Sequence, residues 1–370
     1  MIPFVNLQRL FRDQKSHYLE MAGHLLSKGE LILGPTLAEF EKAFTGYTKA
    51  PHGLGVANGT DALSLALKAQ GIGNEDEVIV PAMTYFGTAE AVAAVGAQPV
   101  PADVHASTHL MAPEHVTPFI TKNTRAVIVV CLYGFPMDPK PWAAFAKEKK
   151  LVVIVDAAQA HGARFNGKSL GEMPFTVCYS FYPSKNLGAF GDGGFVTTSS
   201  RSIHEKLERL RNHGARVKYD HRCFGQNSRL DALQAGFLKL KLPFLDEWNE
   251  TRRQLSAIYR EKLSALPLRF PHPLEGSEPV YHLYTVQTSR RNALQRFLAQ
   301  KGIQTGVHYP SPLHTLPPFE RLGYKKGDFP VSEQISKTTL SLPLCPFTTP
   351  KEIRIVCQAI QDFFKQKVRI

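Results

Sequence analysis

Apolar runs and amphipathic stretches alternate along the first half of the chain. The runs are short and predict strands, whereas the amphipathic stretches repeat their apolar positions every three or four residues and predict helices. The predicted strands cover residues 77–81, 98–104, 125–133 and 151–156, and the predicted helices cover residues 62–70, 88–96 and 141–150. Strands that alternate with helices are typical of crossover connections, so we expect an α/β fold with a mainly parallel sheet.

The pattern changes after Asp156. Two apolar pieces joined by the turn-rich residues 185–194 predict strands with a hairpin-like return. Helical spacing then runs from Leu230 to about Leu263, and Pro243 predicts a kink in it. A smaller α/β portion follows, with predicted strands at residues 280–288 and 303–310 and predicted helices at residues 292–302 and 351–366. We therefore expect a large domain over residues 1–245 and a small C-terminal domain over residues 246–370.

Composition and charge narrow the class of protein. Hydrophobic residues make up 43% and charged residues 21%, which excludes a disordered chain. No apolar stretch reaches the roughly 18 residues of a membrane span, and the first residues lack the pattern of a signal peptide, so we expect a cytoplasmic protein. The five cysteines are widely spaced and form no C-x-x-C pair, which indicates neither a disulfide framework nor a structural zinc site.

The net charge of +12 belongs to the second half of the chain. Residues 1–200 carry 16 basic and 17 acidic side chains, which leaves 28 basic and 15 acidic side chains in residues 201–370. These basic residues are interleaved with apolar ones at helical spacing and form no long run, so we expect no nucleic-acid partner. A local site for a small anion fits the excess better, and solvated helix faces account for much of it.

Two short motifs point to chemistry that their context does not support. Residues 162–169 fit the phosphate-binding G-x-x-x-x-G-K-[ST] loop, and residues 167–171 fit the G-x-S-x-G turn of serine hydrolases, centred on Ser169. Both motifs need a strand before them and a helix directly after them, which the pattern here does not predict. Asn166 and Gly167 predict a hairpin turn instead. His105 and His109 have helical spacing without the Glu of H-E-x-x-H, so we expect no metal site.

Three other features form a chemically coherent set. Asn58, Gly59 and Thr60 open a helix whose free backbone amides suit a phosphate, although a plain helix cap has the same sequence. Asp156 ends a core strand, where wound sheets bind ligands, and Lys185 lies in a segment without other charges. An anion site, a buried carboxylate and a desolvated amine are together what pyridoxal phosphate (PLP) requires.

These residues lie in stretches that resemble one known family. The stretches are ILGP at residues 32–35, ANGTDAL at 57–63, PAMTYFGTAEAV at 81–92, VDAAQAHGA at 155–163, SFYPSKNLGAFGDGG at 180–194, GQNSRLDALQA at 225–235 and VHYPSPLH at 307–314. With them the chain resembles the nucleotide-sugar aminotransferases of the DegT/DnrJ/EryC1/StrS group, which are PLP enzymes of fold type I, like aspartate aminotransferase. The resemblance covers nearly the whole chain.

The resemblance implies roles for individual residues. Lys185 would bind PLP covalently and act as general base and acid, and Asp156 would hold the ring nitrogen protonated. Gln159 would lie near the phenolic oxygen of the ring, and Tyr85 would stack on its face. Further residues implied to bind the phosphate are Gly59, Thr60, Ser180 and, across a homodimer interface, Asn227.

Substrate contacts are also implied by the resemblance, to the branch that aminates 3-keto sugars. The implied residues are Tyr182, Lys218, Tyr219, His308 and Tyr309. The substrates would be an amino acid, with L-glutamate expected, and a dTDP-linked 3-keto-6-deoxyhexose. A UDP-linked 3-keto sugar or a 4-keto sugar remains an alternative. Related dehydratases carry His where this chain has Lys185, so the lysine favours transamination. A P-loop hydrolase, a serine hydrolase and a catalytically silent binding or regulatory protein with the same fold stay open as rivals.

Overall fold

The computed structural model describes residues 1–365 as strands, helices and short connections. The strands are β1 (His52–Val56), β2 (Glu77–Pro81), β3 (Gln98–Ala102), β4 (Thr124–Val130), β5 (Val152–Asp156), β6 (Arg164–Phe165), β7 (Lys168–Ser169), β8 (Thr176–Ser180), β9 (Gly194–Thr198), β10 (Ser277–Glu278), β11 (Tyr284–Gln287) and β12 (Thr339–Leu342). The helices are α1 (Leu7–Asp13), α2 (Lys15–Lys28), α3 (Gly34–Thr48), α4 (Gly59–Ala69), α5 (Phe86–Ala93), α6 (Pro113–Val116), α7 (Pro139–Lys149), α8 (Arg201–Leu210), α9 (Ala232–Lys241), α10 (Leu245–Leu263), α11 (Arg291–Gln300), α12 (Pro317–Glu320), α13 (Pro330–Thr338) and α14 (Pro350–Lys365).

A seven-stranded sheet forms the centre of the protein, in the order β1-β9-β8-β5-β4-β2-β3. Strands β8, β5, β4, β2 and β3 are parallel, and β9 is antiparallel to both of its neighbours. The predicted α/β fold with a mainly parallel sheet is therefore confirmed, as is the hairpin-like return between β8 and β9. Because β1 is antiparallel to β9, it runs in the same direction as β8. The carboxyl ends of six strands consequently meet at one edge of the sheet.

The second half of the chain contains one element that the pattern misread. The predicted strand at residues 303–310 is absent, and only isolated bridges are found there, between Ile303 and Ile2 and between Gly306 and Ser341. The partner of β11 is instead β12, a four-residue strand that the sequence pattern had not indicated. The predicted helices over residues 292–302 and 351–366 correspond to α11 and α14, although residue 366 lies outside the described residues.

Two apolar clusters form the cores of the molecule. The larger cluster surrounds the central sheet and includes Val280, Leu313 and Phe319 from the second half of the chain. The smaller cluster packs α10, α11 and α14 against β11 and β12, and Ile2 joins it.

The predicted kink at Pro243 is a single 3-10 turn that separates α9 from α10. The domain boundary at residue 245 stays a prediction.

The structure gives residues 162–169 neither a phosphate-binding loop nor a nucleophile elbow. Asn166 and Gly167 have φ angles of 49° and 73° and connect β6 to β7, as expected for a two-residue hairpin turn. A short 3-10 turn follows β7, and Ser169 caps this turn together with Glu172. The helix that either motif needs is missing.

Candidate active site

Four of the predicted site residues lie at the edge where the parallel strands end. Asp156 is the last residue of β5, and Ser180 is the last residue of β8. Gly59 begins α4 shortly after β1, and Tyr85 caps α5 shortly after β2. Ligands of wound α/β sheets bind at this edge because the loops there surround a crevice.

Asp156 is a buried carboxylate with hydrogen bonds to both oxygens. Oδ2 accepts a hydrogen bond of 3.0 Å from the hydroxyl of Thr88, and Oδ1 accepts one of 3.1 Å from the backbone amide of Ala158. Burial raises the pKa of Asp156, while these two bonds and the positive charge of Lys185 oppose the rise. Within residues 1–365 no ion pair satisfies this carboxylate. A protonated ring nitrogen would be a suitable partner for it.

Lys185 lies on the turn that follows β8. Its backbone amide donates to the carbonyl of Tyr182 at 2.8 Å, and its side chain is only partly accessible. Burial lowers the pKa of the amine to about 8, and the nearby charge of Asp156 opposes this shift. His161 and His282 lie near the amine and are themselves buried, which lowers the pKa of both imidazoles. The lowered pKa increases the neutral fraction of the amine near pH 8, and the neutral amine is a competent nucleophile and base.

A small concave surface forms where α4 begins. The side chain of Asn58 caps the helix by accepting from the amide of Asp61 at 2.8 Å, which leaves the amides of Gly59 and Thr60 without a partner in the described part of the chain. A methyl group at Gly59 would come within 2.6 Å of Cβ of Ser180. Free amides at the start of an eleven-residue helix, next to a serine hydroxyl, form a cup of the kind that binds phosphate.

Gln159 links the cleft to a distant loop. Its Oε1 accepts from the backbone amide of Tyr133 at 2.6 Å, and its Nε2 donates to the hydroxyl of Tyr309 at 3.0 Å. The hydroxyl of Tyr133 in turn donates to the carbonyl of His308 at 2.6 Å. Nδ1 of His308 lies 2.8 Å from the hydroxyl of Ser341. The structure thus brings Gln159, His308 and Tyr309 together.

Two exposed aromatic side chains border the cleft. Tyr85 is 61% exposed, and its ring centroid lies 5.8 Å from that of Tyr309 at an angle of 42°. This exposure shows that Tyr85 does not belong to the apolar core. Tyr182 is 55% exposed and adjoins the turn that carries Lys185. Exposure of an apolar ring to water is unfavourable, so a ring beside a cleft is available to be covered by a ligand.

Lys218, Tyr219 and Asn227 are not joined to the other site residues. All three lie in the exposed region that follows α8, where Nζ of Lys218 lies 5.0 Å from the ring centroid of Tyr219. No hydrogen bond, ion pair or ring contact in residues 1–365 connects them to the cleft. Their assignment to the site stays a prediction.

Four neighbours of the site were not singled out from the sequence. Thr88 and His161 lie inside the stretches that carry the family resemblance, so these stretches contained the signal. Asn186 follows Lys185 directly, and its amide group binds Asn249 of α10 and the carbonyl of Val280, at 2.8 and 3.0 Å. Oδ1 of Asn186 lies 3.2 Å from Nδ1 of His282. These partners lie 63 to 96 residues away along the chain, and no local pattern indicates such contacts.

The donor groups of the cleft fit PLP. The phosphate cup, the unpaired carboxylate of Asp156 and the amine of Lys185 are the three groups that this cofactor needs. No group of three or more His, Cys, Asp or Glu side chains in residues 1–365 could hold a metal ion. The same residues contain no helix of the length and apolarity that a membrane crossing requires.

Comparison with known proteins identifies close relatives. The model of the DegT/DnrJ/EryC1/StrS aminotransferase family matches residues 12–361. The chain is 41% identical over 357 residues to dTDP-3-amino-3,4,6-trideoxy-alpha-D-glucose transaminase of Streptomyces venezuelae, with 96% of this chain and 94% of the relative covered. It is 40% identical over 360 residues to UDP-N-acetyl-3-dehydro-alpha-D-glucosamine 3-aminotransferase of Acidithiobacillus ferrooxidans, with 97% of each protein covered. The crystal structure of S. venezuelae DesV in complex with a ketimine intermediate superposes with a TM-score of 0.97 at 40% identity, over 99% of both chains.

Proposed function

This chain belongs to the DegT/DnrJ/EryC1/StrS aminotransferase family, whose members are PLP-dependent sugar aminotransferases, and we propose that it moves an amino group from L-glutamate to a dTDP-linked 3-keto-6-deoxyhexose. One observation carries the proposal: Lys185, Asp156 and the cup at Gly59 share one edge of the sheet and match the three groups of the cofactor. Bound PLP supplies an electron-withdrawing ring that makes protons on the attached carbon acidic.

Each residue of the cleft has a separate task in this proposal. Lys185 would hold the cofactor through its amine, and as a neutral base that amine would take the proton from the α-carbon of glutamate and later give a proton to the sugar carbon that receives the amino group. A lowered pKa supports this, because the amine is neutral over more of the physiological range. Asp156 would bind the ring nitrogen and stabilise its protonated form. Gln159 orients the phenolic side of the ring.

A homodimer completes the site in this proposal. Asn227 is exposed, and it would reach the phosphate of the partner subunit. The segments of residues 26–32 and 217–224 expose large apolar side chains, which supports an interface, and Ile32 forms a bridge with Asp231 a few residues after Asn227. The exposed side chains are Leu26, Leu31, Ile32, Val217, Tyr219 and Phe224. Phe224 is fully exposed, which is unusual for a phenylalanine on a monomer surface.

The substrate half of the proposal rests on charge and on relatives. A nucleoside diphosphate carries about two negative charges, which suit the basic excess of residues 201–370. Lys218, Tyr219, Tyr182, His308 and Tyr309 would contact the sugar nucleotide. The relatives named above act on dTDP-linked and on UDP-linked sugars, so both nucleotides belong in the test.

The test begins with purified protein reconstituted with PLP. L-Glutamate should convert the visible absorbance band of the bound cofactor to the shorter-wavelength band of its amino form, and a dTDP-linked 3-keto-6-deoxyhexose should restore the first band. A UDP-linked 3-keto sugar should restore it more slowly. Lys185→Ala should reduce turnover by at least about 10³-fold. Turnover by that variant at a rate close to that of the wild type would refute the assignment of Lys185.

Two controls separate the rivals. Ser169→Ala should leave transamination unchanged, whereas a hydrolase centred on residues 162–171 would lose its activity. Mixing Lys185→Ala and Asn227→Ala subunits should restore part of the activity that each variant lacks, because a mixed dimer contains one site with both residues intact. No restoration would argue against the shared site.

A further inference from the structure

The helix α9 presents one polar face to the turn that carries Lys185. Gln234 and Lys241 are seven residues apart on this helix, which places them on the same side two turns apart. Oε1 of Gln234 accepts from the backbone amide of Phe190 at 2.8 Å, and Nζ of Lys241 donates to the carbonyl of Gly188 at 2.7 Å. One helix face thus binds one donor and one acceptor of the same turn.

Lys241 is an unusual residue for this position. Its side chain is 1% exposed, and Nζ lies 3.5 Å from the ring centroid of Phe190 and 5.6 Å from that of Tyr18. Burial lowers the pKa of the amine to about 7, and no carboxylate in residues 1–365 lies within 4 Å to offset it. A buried amine is costly unless it is bonded. Its bond to Gly188 is therefore a specific contact.

The carbonyl of Gly188 belongs to a residue that packs on the segment holding the backbone of Lys185. Gly188 packs directly on the carbonyls of Pro183 and Tyr182, so closely that a methyl group at position 188 would clash with Pro183. The carbonyl of Tyr182 accepts the backbone amide of Lys185 at 2.8 Å. A shift of Gly188 would therefore move the segment that holds the backbone of Lys185.

We propose that Lys241 is a positioning residue for Lys185: its buried amine, bonded to the carbonyl of Gly188 and supported by Gln234, holds the turn of residues 182–190 so that the amine of Lys185 faces Asp156. This inference rests on the proposed role of Lys185. Because misplacement of a reacting group by about 1 Å can cost on the order of 10² in rate, loss of this contact should slow the proton transfers.

The test compares Lys241→Met with Lys239→Met. Lys239 lies on the same helix, but its side chain is 42% exposed and pairs with Glu39 at the surface, so it is a matched control. Hydrogen exchange is measured in the full chain without cofactor, on peptides covering residues 182–190. Lys241→Met should accelerate exchange of these amides at least tenfold without changing the peptides of β4 and β5, and Lys239→Met should leave it within twofold of the wild type.

A kinetic measurement completes the test. In the PLP-loaded enzyme, Lys241→Met should convert glutamate at least tenfold more slowly, with bound cofactor and melting temperature retained. Unchanged local exchange together with an unchanged glutamate rate would overturn the proposal, and so would faster exchange over the whole chain, which indicates a merely structural role. If Lys241→Met does not fold, Gln234→Met serves the same comparison. If the wild type does not react with glutamate, the proposed function fails, and the exchange experiment still decides about the contact.

Discussion

The hydroxyl of Thr88 lies 3.0 Å from Oδ2 of Asp156 and is itself 3.0 Å from the hydroxyl of Thr84. This short chain of hydroxyls fixes the carboxylate at the end of β5. Burial favours the neutral form of Asp156. Hydrogen bonds and a cationic partner are therefore needed to keep the carboxylate charged.

Asp156→Asn should reduce the rate of glutamate conversion by about 10²-fold or more, because an amide does not stabilise a protonated ring nitrogen. Thr88→Val removes one of two bonds and should cost about tenfold, at the lower end of what one hydrogen bond to a charged group contributes. Stopped-flow absorbance of the loaded enzyme measures both. Equal losses in the two variants would contradict this ranking.

Gly59→Ala should weaken cofactor binding by about 10- to 100-fold, since its methyl group would approach Ser180 to 2.6 Å and displace the phosphate cup. Gly46→Ala, in α3, meets nothing within 4 Å and is the control. Titration of the cofactor-free protein with PLP gives the dissociation constants. A Gly59→Ala protein that binds PLP like the Gly46→Ala protein would place the phosphate elsewhere.

Tyr309→Phe should raise the KM for the keto sugar about tenfold and change the glutamate rate by less than about threefold. The hydroxyl of Tyr309 accepts a hydrogen bond from Nε2 of Gln159. In the variant, the bond from the backbone amide of Tyr133 to Oε1 of Gln159 still holds the side chain of Gln159 in place. Steady-state kinetics with the sugar and single-turnover kinetics with glutamate separate the two effects. A glutamate rate that falls as much as the sugar KM rises would assign Tyr309 to the chemical step instead.

Without cofactor, Lys185→Met should stabilise the protein at pH 7. The amine has a pKa of about 8 in the folded chain against 10.5 as its ordinary value, so the unfolded chain binds more protons between these values. Burial of the charge therefore destabilises the wild type below pH 8, and this cost disappears as the pH rises toward 10.5. We expect a gain of about 1–3 kcal/mol at pH 7 that vanishes near pH 10.5.

Urea unfolding of the cofactor-free Lys185→Met and Lys239→Met proteins at pH 7 and pH 10 measures this difference. Lys239 is partly exposed and paired at the surface, so its replacement should not reproduce the effect. A gain from Lys185→Met that is equal at both pH values would show that packing, and not charge, is its cause.

Residues that end predicted strands could be placed from the sequence. Asp156 ends a strand whose apolar pattern is strong, and parallel strands bring their carboxyl ends to one edge. Strand β1, which precedes Gly59, has two glycines among its five residues and was not predicted. The segment at residues 303–310 was misread because its apolar positions alternate as in a strand, although its backbone pairs only through isolated bridges. The contact of Tyr133 with His308 spans 175 residues, and no periodicity encodes such a contact. In our proposal Asn227 acts on the site of a second subunit, so its role could not be read from one chain.

The turn around Lys185 has two sides of opposite character. Asn186 is buried and bonded to α10 and to the chain at Val280, whereas Tyr182 projects into solvent with 55% of its surface exposed. Substitutions at the outward side can therefore alter which sugar is admitted without disturbing the inward anchor. Substrate preference can therefore change during evolution while the position of the reactive amine is preserved.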